Sequence, residues 1–237
     1  MLTDAQVERY SRQIILPEVG ARGQERLRAA RVGVYGDDAA VKSAALMLGR
    51  AGIGALEVDE RLGTLPEVAP DCWISRARGD SANIAVVLTG EEPPPHARID
   101  GPIFRASGDS VDILVVLTGE EPPPDAGVWG IGWSTESLRP VVLGILGASV
   151  IVATLLPGSC LGCFPDTSPL NDADHPLRPE AAPAARTMLG ALAANETLRV
   201  LLTAPARSRL TILDVGRGTA IVKEIQPVGC RFCKAPA

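Results

Sequence analysis

Four of the five cysteines stand in two pairs of identical spacing, Cys160-Leu-Gly-Cys163 and Cys230-Arg-Phe-Cys233, with 66 residues between the pairs. A Cys-x-x-Cys unit can place two thiolates on one tetrahedral ion, and two units complete a closed four-sulfur sphere. No coordination position then stays open for a reacting water, so the spacing points to a structural zinc ion that ties the end of the chain to the end of the central sheet. Two redox-active Cys-x-x-Cys units, or unrelated thiols, are the competing readings. The fifth, Cys72, lies in PDCWIS with no base beside it and reads as a structural thiol, not a nucleophile.

A second candidate site lies in Arg31–Gly54, RVGVYGDDAAVKSAALMLGRAGIG. Val32, Val34 and Tyr35 predict a short buried strand, Gly36 a turn, and Ala39–Ala51 a helix ended by Gly54. A strand, glycine turn and helix in that order present free N–H groups and a positive dipole end to a phosphate. A phosphate cradle, however, needs several residues without a β-carbon, and only Gly36 is of that kind here. Asp37 and Asp38 follow it. Asp is a good N-cap, so the helix is expected to cap itself with its own anion. An incoming phosphate would then meet a like charge worth roughly 4 kcal/mol near a protein surface, which Lys42, one turn in, offsets in part.

These residues must be held by elements that the rest of the chain supplies. Thr3 and Gln6 form a predicted capping box for a first helix through about Ile14. Pro17 and Gly20 break the chain, Gly23–Ala30 is a second helix, and Ala55–Asp59 a second strand. Residues 74–97 and 103–126 are an internal repeat with an identical VVLTGEEPPP, a tandem duplication and not a solenoid. Each copy contains one strong strand, Ile84–Thr89 and Ile113–Thr118, before a triple proline that reads as a stiff connector. Val141–Ala148 and Ser149–Leu156 are predicted strands, Ala184–Thr203 a long helix, and Leu210–Val215 and Thr219–Ile225 a terminal hairpin around Gly216-Arg-Gly218.

Composition limits the classes of function. The chain has 237 residues, is 46% apolar and carries a net charge of −5, enough for one sizeable core and the wrong sign for nucleic acid or an anionic membrane. The longest uncharged apolar run, Pro140–Gly158, reads as two buried strands and is short for a membrane span. The polar, helical start is unlike a signal peptide, and the paired cysteines suit a reducing compartment, so the expectation is a cytoplasmic protein.

The stretch Glu8-Arg-Tyr-Ser-Arg-Gln-Ile-Ile-Leu-Pro-Glu-Val-Gly20, Gly23-Gln24, the strand–turn–helix after it and the two Cys-x-x-Cys pairs together resemble the ThiF/MoeB/HesA family, relatives of ubiquitin-activating enzymes. The resemblance implies an α/β, Rossmann-like fold: a mostly parallel central sheet flanked by helices, antiparallel C-terminal strands and a four-cysteine zinc site. Residues 1–237 form a single domain in this reading, with a helical arm (1–30), a degenerate nucleotide-binding half (31–135) and a zinc-bound half (136–237). Members adenylate the C-terminal glycine of a ubiquitin-like sulfur carrier with ATP and magnesium, and are usually dimers. By position, Gly36, Lys42 and Asp59 would form a vestigial nucleotide site, with Asp59 on the ribose. Arg12, the second arginine of the RYxRQ motif, would reach a partner's ATP phosphates; its other reading is an ordinary exposed helix arginine.

The chain departs from the family in its glycine run, in the Asn and Arg residues expected after Asp59, and in the magnesium-binding Asp, where it has VVLTGEE with Thr118 and Glu120. It also lacks a reactive Cys in Asp166–Pro183. The expected function is therefore a catalytically impaired, zinc-stapled dimer partner, paired with itself or with an active relative, or a binder of a sulfur-carrier protein or peptide. An active adenylyltransferase is the alternative.

Overall fold

The structure is a computed structural model that describes residues 1–59, 62–65, 70–77, 111–118, 139–159, 163–164 and 177–226. In chain order the elements are α1 (Asp4–Arg9), α2 (Ser11–Ile14), α3 (Gly20–Ala29), β1 (Arg31–Gly36), α4 (Asp38–Ala51), β2 (Ala55–Asp59), β3 (Trp73–Ala77), β4 (Ile113–Thr118), β5 (Val141–Leu146) and β6 (Val150–Leu155). A 3-10 turn, Pro179–Ala181, then leads into α5 (Ala182–Thr203), followed by β7 (Ser208–Asp214) and β8 (Thr219–Ile225).

Eight strands form one sheet in the order β3-β2-β1-β4-β5-β6-β7-β8. Pairings from β3 through β5 are parallel, and those from β5 to β8 are antiparallel. The period-2 alternation of side chains gives the sheet two apolar faces. Val32 and Val34 of β1 join Ile113, Val115 and Leu117 of β4 in the cluster that α4 and α5 cover. Tyr35, Leu114 and Val116 belong to a cluster on the other face with Leu143, Ile151 and Leu210. Every residue of β5 and β6 is buried, as expected for an uncharged run in mid-sheet.

Helices α4 and α5 cross closely because small residues meet there. A Cβ on Gly190 would lie 2.2 Å from the Ala40 carbonyl oxygen, and Ser43 Oγ donates to Thr187 O at 3.1 Å. Glu196 of α5 is buried and holds the antiparallel half: Thr154 Oγ1 donates to it at 2.7 Å, Arg199 Nε at 2.9 Å and Arg209 Nη1 at 3.2 Å. Each oxygen of that carboxylate is therefore met by a charged donor, which is what lets it sit at 5% exposure.

The capping box forms as expected: Gln6 N–H donates to Thr3 Oγ1 and Thr3 N–H to Gln6 Oε1. Several expectations need correction. The first helix stops at Arg9 and resumes at Ser11, because Tyr10 leaves helical geometry to bury its ring at 2% exposure. The helix after it begins at Gly20, a turn earlier than expected. The α4 helix ends at Gly52, in left-handed geometry at φ +97°, and not at Gly54. A Cβ on Gly54 would lie 1.9 Å from the Arg28 carbonyl oxygen, so that residue is a close-approach point and not a cap. Strand β3 was unforeseen, and the predicted strand Ile84–Thr89 lies outside the described residues.

Candidate functional site

In an open parallel sheet the ligand crevice opens at the carboxyl ends of the strands where chain order reverses. Here that point lies between β1 and β4, so Gly36 and the N-terminus of α4 are placed where a nucleotide would be sought. Gly36 has φ +121°, and a Cβ there would lie 1.8 Å from Leu117 O. The next N–H, of Asp37, donates to the same Leu117 oxygen at 2.7 Å. Glycine is thus required at position 36 to bring the turn against β4, independently of any phosphate.

Asp37 is the N-cap of α4. Its Oδ1 accepts from Ala40 N–H at 3.0 Å, and its Oδ2 takes Arg186 Nε of α5 at 3.1 Å. Asp38, in the first turn, is bonded by Lys42 Nζ at 2.5 Å. Lys42 also lies against the turn after β2, where a Cβ on Gly63 would be 3.2 Å from Nζ. Arg76 of β3 holds that turn by donating to Leu62 O at 2.5 Å.

The two carboxylates and two cations balance, which changes the electrostatic argument. The aspartates do not stand bare, and an arriving anion meets little net repulsion. What it meets is a helix N-terminus and two cations each already paired with a carboxylate. Each partly exposed ion pair adds at most about 1 kcal/mol, and the cap about another. Arg186 was invisible in the sequence, since 149 residues separate it from Asp37. Asp59 ends β2 buried at 8% exposure, and its carbonyl accepts Leu62 N–H at 3.1 Å. Thr118 closes β4 at this same end of the sheet; Glu120 lies outside the described residues.

Arg12 is exposed on α2 and lies elsewhere. The arm that carries it docks on the last turn of α4: Gln13 Nε2 donates to Arg50 O at 3.3 Å and Gln24 Nε2 to Ala51 O at 3.0 Å, with the Tyr10 ring beside Gly52. A 14-residue helix is about 20 Å long. Arg12 therefore sits a helix length from the mouth of its own α4. Cys72 is half-buried, and burial pushes its thiol up to about 11, with Arg28 pulling the other way. It is a neutral thiol at ordinary pH, as a structural role requires. Tyr35 donates its buried hydroxyl to Glu57, and burial together with that carboxylate raises its ionisation well above the usual phenol range.

Of the four paired cysteines, Cys163 is described, half-buried beside the buried Phe164; Cys160, Cys230 and Cys233 lie outside the described residues. The chain is described up to Ser159 before the first pair and up to Gln226 before the second. Leu156–Ser159 is a turn with Pro157 in second place and Gly158 at φ +81° in third, closed by Ser159 N–H to Leu156 O at 3.0 Å. It delivers the backbone to Cys160. On the other side, Ile225 ends β8 in register with Ser208, five residues before Cys230. Five residues span at most about 17 Å. The described strands that precede the two pairs, β6 and β8, thus both end beside the start of β7, and four thiols are soft donors of the kind a zinc ion favours.

No protein-family model matches the chain. It is 49% identical over 55 residues to the vegetative HesA protein of Trichormus variabilis, a stretch that makes up 23% of this chain and 21% of that protein. It is 46% identical over 55 residues to the adenylyltransferase and sulfurtransferase uba4 of Neosartorya fischeri, 23% of this chain and 11% of that one. The match thus spans about a fifth of the first relative and a ninth of the second. Among solved structures, E. coli MccB with ATP superposes at a TM-score of 0.59 over 95% of this chain and 74% of that chain, at 15% identity. PaaA superposes at 0.55 over 95% and 75%, at 14% identity. At such identities the likeness is one of fold. Among the described residues, no helix is long and apolar enough to cross a membrane.

Proposed function

The chain has a ThiF/MoeB/HesA-like fold, and from that premise we propose that it is a catalytically impaired form of it: a zinc-stapled dimer partner, or a binder of a ubiquitin-like sulfur-carrier protein or peptide. The observation that carries this reading is at the mouth of α4, where Asp37 takes the Ala40 N–H and Arg186, and Asp38 takes Lys42. One N–H of the first helical turn and the two nearby cations are thus held by the protein's own carboxylates. Partnership is supported by the arm. Val7, Ile15 and Leu16 are 46%, 77% and 47% exposed around Arg12, an apolar surface that a second chain would cover. From there Arg12 would serve a neighbour's site, since its own lies a helix length away, and a cation supplied in trans stabilises phosphate charge without a glycine loop.

Isothermal titration calorimetry with ATP and magnesium tests the proposal. No heat of binding is expected at micromolar nucleotide, and a micromolar dissociation constant overturns it. The alternative, an active adenylyltransferase, draws on the relatives that bear that name and on the likeness to MccB, solved with ATP. Pyrophosphate exchange that depends on a carrier protein ending in Gly-Gly would favour it.

A further inference from the structure

The first two helices are held to the body by very little. Neither α1 nor α2 has a buried residue, and Val7, Ile15 and Leu16 are exposed. One side chain between them, Tyr10, enters the body, at 2% exposure. Its ring lies against Gly52, where a Cβ would be 3.0 Å from Tyr10 Cζ, and Gln24 lines the same seat, its Nε2 2.2 Å from that Cβ. The other tethers are partly exposed: Gln13 Nε2 donates to Arg50 O at 3.3 Å, Arg9 Nε meets Asp71 Oδ2 at 3.2 Å, and the Met1 amine meets Glu25 at 3.4 Å.

The seat itself is imperfect. The Tyr10 hydroxyl is buried without a hydrogen-bond partner among the described residues, and so is Gln24 Oε1, although Gln24 Nε2 donates to Ala51 O at 3.0 Å. A buried donor or acceptor left unmet forfeits the bond it had in water. Docking Tyr10 therefore sets the burial of one aromatic ring against two unmet polar groups, and both regain water when the ring leaves. The connection to the body is a compact turn. Val19 N–H and Gly20 N–H both donate to Leu16 O, at 3.0 and 2.9 Å, and Gly20 sits at φ +59°. Leu16, Pro17 and Glu18 are exposed, so rotation here disturbs nothing packed.

We infer that residues 1–16 form a strap that lifts from the last turn of α4 as one unit, hinged at Leu16–Gly20, with Tyr10 as its catch. Segments with few buried contacts open far more often than the whole protein unfolds. Arg12 rides on this strap, so the Tyr10 seat governs where that guanidinium can reach.

The experiment is tryptic release of fragments 1–9 and 1–12 from the full chain under native conditions, read by mass spectrometry. A protease needs several extended residues on either side of the bond, so cutting after Arg9 or Arg12 requires Tyr10 out of its seat. Each rate is divided by that of a synthetic peptide of residues 1–20 with the same substitution. While opening and closing outpace cutting, the ratio reports the open population. Wild type is expected to lose these fragments on the order of 100-fold faster than it is cut after Arg26 or Arg28 in α3. Tyr10→Phe keeps the ring and removes the unmet hydroxyl, so it should hold the strap closed and slow release about 5-fold or more. Tyr10→Ala removes the ring as well and should speed release about 10-fold or more. Neither change should alter cutting in α3. Wild-type fragments released no faster than α3 is cut overturn the hinge. Release from Tyr10→Phe that equals or exceeds wild type overturns the catch, since the hydroxyl is then neutral or bonded in place. If Tyr10→Ala does not fold, Tyr10→Phe decides by the same rate.

Discussion

The mouth of α4 and the junction of β6 with β7 at Ser208 solve the same problem, satisfying polar groups at the end of a buried sheet, by opposite means. At the mouth the chain spends charged side chains on one another. Asp37 holds Arg186, Asp38 holds Lys42, and the Ala40 N–H of the first turn is capped. At the junction the closing groups are two neutral hydroxyls, of Ser159 and Ser208, that satisfy Leu156 and each other. A site is closed when its potential ligand-binding donors are the ones used for internal satisfaction.

The largest expected effect in this comparison comes from Gly36→Ala. Its Cβ would meet a backbone oxygen at 1.8 Å in a left-handed conformation, so the cost exceeds about 4 kcal/mol in chemical denaturation, or the protein fails to fold. A loss below about 1 kcal/mol would mean that the turn is not pressed against β4 and that the mouth is looser than described.

Asp37→Ala removes the cap and the Arg186 partner together and should cost about 1–2 kcal/mol by the same measurement. No loss would show that the carboxylate does not close the helix end.

The smallest effect lies at the far edge of the sheet. The Arg209 guanidinium holds the exposed Glu224 carboxyl below the usual range, by hydrogen bond first and charge second. A depressed folded pKa stabilises the protein above the unfolded value near 4.5 and is lost as pH falls through the folded one. Glu224→Gln should therefore flatten the acid limb of the stability curve below about pH 4.5 and leave its slope near neutrality unchanged. An acid limb identical to wild type would remove this pair from the account of β7 and β8.

What could be read in the linear chain was whatever depends on near neighbours. The capping box of Thr3 and Gln6, the self-capping Asp37, the period-2 strands and the spacing of each Cys-x-x-Cys unit all lie within a few residues. Strand β3 is not legible because Trp73-Ile-Ser-Arg-Ala77 mixes polar and apolar residues without the continuous apolar run of β4. The Tyr10 break escaped because its cause, a pocket beside Gly52 and Gln24, comes from the other end of α4 and from α3.

The sequence by itself determined a layered α/β chain with a glycine-poor turn at its nucleotide position and two pairs of thiols at 160–163 and 230–233, since local pattern, capping chemistry and ligand spacing need no tertiary information. Only the fold decided that Arg186 would neutralise Asp37 across 149 residues and that Ser208 would meet Ser159 across 49. The physical reason is that an ion pair or a hydroxyl ring has no periodicity: its partners are chosen by which strands and helices the core brings together.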